Sequence, residues 1–155
     1  MAEQNKRTMH ANAYINTLRE LVEEGQEVSL QISGNSMMPF LIHERDTIFF
    51  GPIKGPLKKG DMVFYQRKEG TFVMHRICKV TQGGYYLVGD AQNIIEGPID
   101  REQIFAKVTR ARRKGKWIDA HDFWWKFFAS VWIRIIPLRH VILVTYIRLT
   151  GKDRI

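Results

Sequence analysis

Between residues 27 and 116 the chain is cut into short segments by turn residues, and this punctuation limits it to a β architecture. Gly51-Pro52 and Gly55-Pro56 break it, Lys59-Gly60-Asp61 makes a turn, and Gln82-Gly83-Gly84 reads as a hairpin turn. The stretches between are strand-like. Residues 28–32 alternate, and 46–50, 62–66, 71–80 and 85–88 are rich in β-branched and aromatic residues. A last hairpin is expected from 104–111 and Trp117-Ile118 around a turn at 112–115. The pattern has no internal repeat.

Helical spacing flanks this region on both sides. Tyr14, Leu18, Leu21 and Val22 predict a helix over 8–24 that stops at Gly25. After Asp119 the helical period returns, with Trp124, Phe128, Trp132 and Ile135 on one stripe and a break at Pro137. The expected organisation is a helical segment over 1–26, a β domain over 27–119 and a basic amphipathic tail over 120–155. Two helices are expected within 122–149. The fold class is mainly β, of α+β type.

Charge separates the tail from the body. Residues 1–100 carry 11 Lys/Arg against 12 Asp/Glu, whereas 101–155 carry 13 against 4 and contain all four tryptophans. The hydrophobic fraction of 45% belongs to a globular chain and excludes a disordered one. One cysteine, Cys78, excludes a disulfide framework or a Cys-based zinc cluster within the chain. It reads as a small packing residue. The five histidines show no metal-ligand spacing, so neither metal nor cofactor is expected. No secretory signal is visible. The longest apolar stretch, 123–147, is interrupted by Lys126, Arg134, Pro137, Arg139 and His140 and makes no clean membrane span.

The chemistry centres on Ser33-Gly34-Asn35-Ser36-Met37-Met38-Pro39-Phe40-Leu41. A serine that follows a small, turn-prone pair at the end of a strand can stand exposed on a sharp bend, with its own amide facing a substrate carbonyl. His75 lies in the later strand segment Val73-Met74-His75-Arg76-Ile77. Asp90 follows the strand that returns from the Gly83-Gly84 turn. If those two strands pair as a hairpin, His75 and Asp90 become neighbours. Imidazole, with a reference pKa of about 6.5, suits the removal of a serine proton near neutrality, and an acid beside its far nitrogen would fix the tautomer.

Four segments, taken in order, resemble the conserved boxes of the S24/S26 serine peptidases, the type I signal peptidases and LexA-like self-cleaving regulators. They are 33–41, Lys59-Gly60-Asp61-Met62-Val63-Phe64, Met74-His75-Arg76-Ile77 and Gly89-Asp90-Ala91-Gln92-Asn93. The resemblance covers about 27–110 and implies a signal peptidase/LexA-like β domain. It makes Ser36 the nucleophile. A histidine, His75, stands where many relatives have a lysine, as in the Ser-His branch of archaeal, endoplasmic-reticulum and SipW-like enzymes. It assigns Asp90 either to orienting His75 or to fixing its loop. Gly34 stands where bacterial enzymes often carry an oxyanion-assisting serine, which leaves backbone amides at Ser36 and Met37, with Asn35, for that role. Arg76 reads as a structural partner for a nearby acid.

The expected function is therefore a serine endopeptidase acting on extended peptide segments, with small side chains implied before the cut. The substrate would add a strand near 28–32 and 71–75. The N-terminal membrane anchor and the helix-turn-helix of relatives are not visible. The aromatic stripe either packs on the sheet or meets a membrane surface, with the cytoplasmic side favoured. A nucleic-acid partner is not expected, because the basic tail lacks a recognition motif. The rival reading is a catalytically silent β module tethered by its tail.

Overall fold

A computed structural model describes residues 2–150, with side chains over 11–149. The first helix, α1, runs Ala2–Glu23. It starts earlier than its apolar spacing suggests and ends where expected, with Gly25 at φ 92° after it. Eight strands follow: β1 (Val28–Gln31), β2 (Thr47–Gly51), β3 (Met62–Gln66), β4 (Phe72–Thr81), β5 (Gly84–Val88), β6 (Glu96–Ile99), β7 (Ile104–Arg113) and β8 (Lys116–Asp119). All pairings are antiparallel, in the order β1-β2-β7-β3-β4-β5-β6, with β8 on the end of β7. The fold is the mainly-β α+β class that the turn punctuation implies.

Strand β6 is the one strand the sequence reading misses. Its Gly97-Pro98 pair reads as a breaker. An edge position tolerates the proline, because β6 pairs on one side only, through Tyr85↔Ile99 and Leu87↔Glu96.

The sheet carries apolar clusters on both faces. Met62 and Phe64 point one way, with Ile48, Phe50, Ala106 and Val108, while Val63 and Tyr65 point the other, with Ile77, Leu87 and Ile104. This explains why β3 is an unbroken apolar run rather than an alternating one. Leu18 and Val22 of α1 cover the first face.

The C-terminal segment closes the same face. Helix α2 (Phe123–Ser130) is followed by two short 3-10 turns, Trp132–Arg134 and Ile136–Leu138, and then by α3 (Arg139–Thr150). The break near Pro137 is as expected, and α2 and α3 with their adjoining turns meet at 91°. Residues 151–155 of the expected tail lie outside the described residues. The stripe itself differs from expectation. Trp125, Phe128, Trp132 and Leu143 join the core of the β domain, whereas Trp124 stays half exposed. The tail is thus an integral layer rather than a separate appendage. Each large side chain buried there contributes about 1.5–3 kcal/mol. Gly60, at φ 98°, allows the contact: a Cβ there would lie 2.7 Å from the Ala129 carbonyl oxygen.

Among the described residues two cations are fully buried, Arg76 of β4 and Arg139 of α3. Arg76 meets Asp90 through two bonds, at 3.0 and 2.8 Å, and donates to the Gly60 carbonyl at 2.9 Å. Its guanidinium also lies over the Phe40 ring, 5.2 Å from the centroid. Arg139 donates to the carbonyls of Trp132 and Gly89, and the Trp132 indole N–H donates to the Asp90 carbonyl at 2.8 Å. Arg76→Leu should lower unfolding stability by about 3–5 kcal/mol, because it leaves the Asp90 carboxylate buried without its partner. Urea unfolding at neutral pH measures this, and a loss under 1 kcal/mol would show that the pair is dispensable.

Candidate active site

The 33–41 segment leaves β1 and turns sharply. Gly34 sits at φ 90°, which a side chain would strain, and its amide donates to His43 Nδ1 at 3.2 Å. Beyond the turn, Met37, Phe40 and Leu41 are buried in the core. Their burial pins the turn and leaves Ser36 half-buried at its surface. The Ser36 carbonyl accepts the Ala91 amide at 2.9 Å, and a Cβ on Gly89 would lie 2.5 Å from the same oxygen. The serine turn and the Gly-Asp segment are therefore fastened backbone to backbone, at a separation that only glycine at 89 permits.

Strand β4 carries His75 one residue before the start of its pairing with β5. Arg76 is the first β4 residue paired with β5, opposite Val88, and Gly89 follows directly. Ser36 leans on Gly89, and His75 precedes Arg76, so both stand at one strand end. Among the described residues no hydrogen bond joins Ser36 to His75. Residues 72–75 pair with β3 but have no partner on the β5 side, so this stretch of β4 presents a free edge.

His75 is 2% exposed and is held from behind. Its Nδ1 lies 3.2 Å from the Tyr65 hydroxyl oxygen and 3.7 Å from the Glu96 carboxylate. The Glu96 carboxylate also acts on the Tyr65 hydroxyl. Arg67 grips Glu96 with its Nε at 2.8 Å and with a second, shorter bond from its Nη2. This row of groups, His75–Tyr65–Glu96–Arg67, lies on the face of β3 and β4 opposite Arg76.

The environment sets the protonation states. Burial pushes His75 down to about 4, Arg67 adds to that, and Glu96 and Asp90 only partly oppose it. The imidazole is thus neutral at pH 7. Burial and the neighbouring Glu96 raise Tyr65, which stays a phenol. The Arg67 hydrogen bond holds Glu96 below its ordinary value, so it stays a carboxylate.

Asp90 lies elsewhere than the orienting reading requires. It is fully buried, and both carboxylate oxygens are bonded to Arg76. Of its two open roles, the structure gives it the fixing of the loop, while Tyr65 and Glu96 face the histidine ring. Asn35 is exposed on the rim, and its carbonyl accepts the Met38 amide at 3.2 Å. The Met37 side chain, 2% exposed, forms part of a cavity wall.

That cavity, of about 370 Å³, opens beside Ser36. Ile32, Met37, Phe64 and Met74 make its floor, and Tyr14 and Ile15 of α1 close its outer side. Among the described residues, no ionisable side chain other than the Tyr14 phenol lines it.

The sequence reading misses Tyr65, Arg67 and Glu96. Tyr65 had a detectable signal. In the β3–β4 register Val63 faces His75 and Tyr65 faces Val73, which makes Tyr65 the diagonal neighbour of His75 on the same face. Glu96 had none, since its approach depends on β6 pairing with β5.

No curated protein and no solved structure matches this chain. One family model does: Peptidase S24-like, over residues 2–109, a span that includes Ser36, His75, Asp90 and Glu96. By that match and by the sheet that carries these residues, the chain belongs to the Peptidase S24-like family.

Proposed function

We propose that this protein is a serine endopeptidase with Ser36 as nucleophile and His75 as general base, in the manner of the Ser-His branch of the S24/S26 peptidases. The observation that carries the reading is the buried, neutral His75. Its Nδ1 is held by Tyr65 and Glu96, and it stands at the strand end where Ser36 is fastened to Gly89.

The mechanism follows from the tautomer. With Nδ1 protonated and donating to the Tyr65 oxygen, Nε2 is left as the basic nitrogen. Nε2 takes the Ser36 proton as Oγ attacks the substrate carbonyl. The amides of Ser36 and Met37 supply donors for the oxyanion. Imidazolium is stabilised by the Glu96 carboxylate, 3.7 Å from Nδ1, then returns its proton to the leaving amine. Water hydrolyses the acyl-enzyme by the same route in reverse. The substrate adds a strand to the free β4 edge at 72–75 and lodges an apolar side chain in the cavity beside Ser36. The volume there exceeds what an alanine methyl fills, so the cavity also accommodates longer apolar groups.

A fluorophosphonate probe should label the wild type and leave Ser36→Ala unlabelled. Peptide cleavage should fall equally in Ser36→Ala and His75→Ala, because nucleophile and base act as a unit. Labelling that is indifferent to Ser36 would favour the silent β module.

The base works deprotonated, so activity should persist above its pKa and disappear as pH falls through it. The acid limb of kcat/KM should lie near pH 4, well below the usual histidine value of about 6.5. Glu96→Gln removes the group that favours imidazolium. It should lower kcat about 100-fold and move the acid limb to lower pH.

Gly89→Ala tests the backbone contact. A methyl 2.5 Å from the Ser36 carbonyl oxygen must displace the serine turn. The expected loss in kcat/KM is about 100-fold, with the unfolding midpoint changing much less than in Arg76→Leu. Unchanged cleavage would show that the contact does not position Ser36.

A further inference from the structure

Packing of α2 and α3 on the sheet leaves apolar groups pointing outward. Phe123 is 71% exposed, Val141 67% and Leu149 82%, and Trp124, Leu138 and Ile142 are also exposed. On α3 and the turn before it, positions 138, 141, 142 and 149 recur at helical spacing and form one outer stripe, while Leu143 packs inward. An exposed stripe of this kind marks a binding surface on a stable domain.

Charge identifies its occupant. From residue 123 to residue 150 the chain contains no Asp or Glu, and outside the buried Arg139 it carries Lys126, Arg134 and Arg148, all exposed. A second copy of this surface would set cations against cations. An anionic lipid surface complements both the charges and the apolar stripe.

The geometry sets the depth. The 12-residue α3 is about 18 Å long and α2 is shorter, against an apolar bilayer core of about 30 Å. No single described helix is long and apolar enough to cross a membrane, and the two helical arms meet at 91°. An interfacial position fits these lengths. The inner side of α3 borders a cleft with Asn35, Met38 and Ala91, on the rim of the Ser36 turn. Docking through the outer side leaves this cleft, and the Ser36 turn beside it, on the inner side of α3.

We infer that the outer face of α2–α3 docks the protein peripherally on anionic membranes. Resting on the peptidase reading, this also places its substrates among extended peptide segments at that surface. These helices lie beyond the family-matched 2–109.

The test is flotation of the full chain with phosphatidylcholine vesicles, with and without phosphatidylglycerol. Wild type should float with the anionic vesicles, far less with the neutral ones, and should be released as salt rises. Val141→Glu/Ile142→Glu should reduce the bound fraction about tenfold or more. Both side chains point outward, so an unchanged unfolding midpoint would show that the fold survives. Arg134→Gln/Arg148→Gln should weaken binding and flatten its salt dependence. Ser36→Ala should float like wild type, which separates docking from catalysis: loss of cleavage without loss of flotation bears only on the peptidase reading. Wild type left unbound by anionic vesicles would overturn the inference. So would flotation of the Glu variant at the wild-type level, or light scattering that shows a dimer which that variant dissolves while no form floats.

Discussion

The buried pair of Arg76 and Asp90 is the contact on which the arrangement depends. A buried ion pair is costly to assemble and more costly to break by halves, because the partner left behind cannot reach water. Here the guanidinium is satisfied on several sides at once. It joins β4 to the 89–92 loop through Asp90 and to the turn before β3 through the Gly60 carbonyl, and it lies over the Phe40 ring. Phe40 belongs to the segment that carries Ser36. Gly60 in turn receives α2. One side chain therefore ties together the serine turn, the strand with the histidine and the C-terminal layer.

Alternation along β4 separates structure from chemistry. Arg76 points into the core that α2 covers, and His75 points to the opposite face, toward Tyr65 and Glu96. Neighbouring residues thus meet different dielectric surroundings and different charges. The Arg76 side has a carboxylate fully matched by a cation. On the His75 side the Glu96 charge is largely consumed by Arg67, so burial prevails and the imidazole stays neutral. A carboxylate not shared with Arg67 would raise the imidazole more strongly. Glu96 acts on the ring directly, across 3.7 Å, and only partly offsets burial.

The C-terminal layer divides one amphipathic segment between a buried and an exposed side. Trp125, Phe128 and Trp132 are consumed in the core, and Arg139 and the Trp132 indole hold the backbone of the Gly-Asp loop. What remains outside is a smaller apolar stripe with cations on its flanks. Removing the whole segment would expose the core and release the loop, so point changes on the outer face are the informative ones.

Local chemistry determined much of the fold and the identity of the boxes. Gly and Pro positions mark the turns, alternation marks the strands, and Gly25 and Pro137 mark helix ends, because each acts through its own backbone or through near neighbours in the chain. Ser36, His75, Arg76 and Asp90 were likewise legible, since their segments follow a family pattern. The partners of those residues were decided by tertiary structure alone. Whether Asp90 serves His75 or Arg76 depends on which face of β4 each side chain takes. Glu96 reaches His75 only because β6, disguised by Gly97-Pro98, pairs with β5. The share of the aromatic stripe that goes to the core is likewise set by how α2 seats on Gly60. Periodicity shows that a face is apolar, but packing decides what covers it.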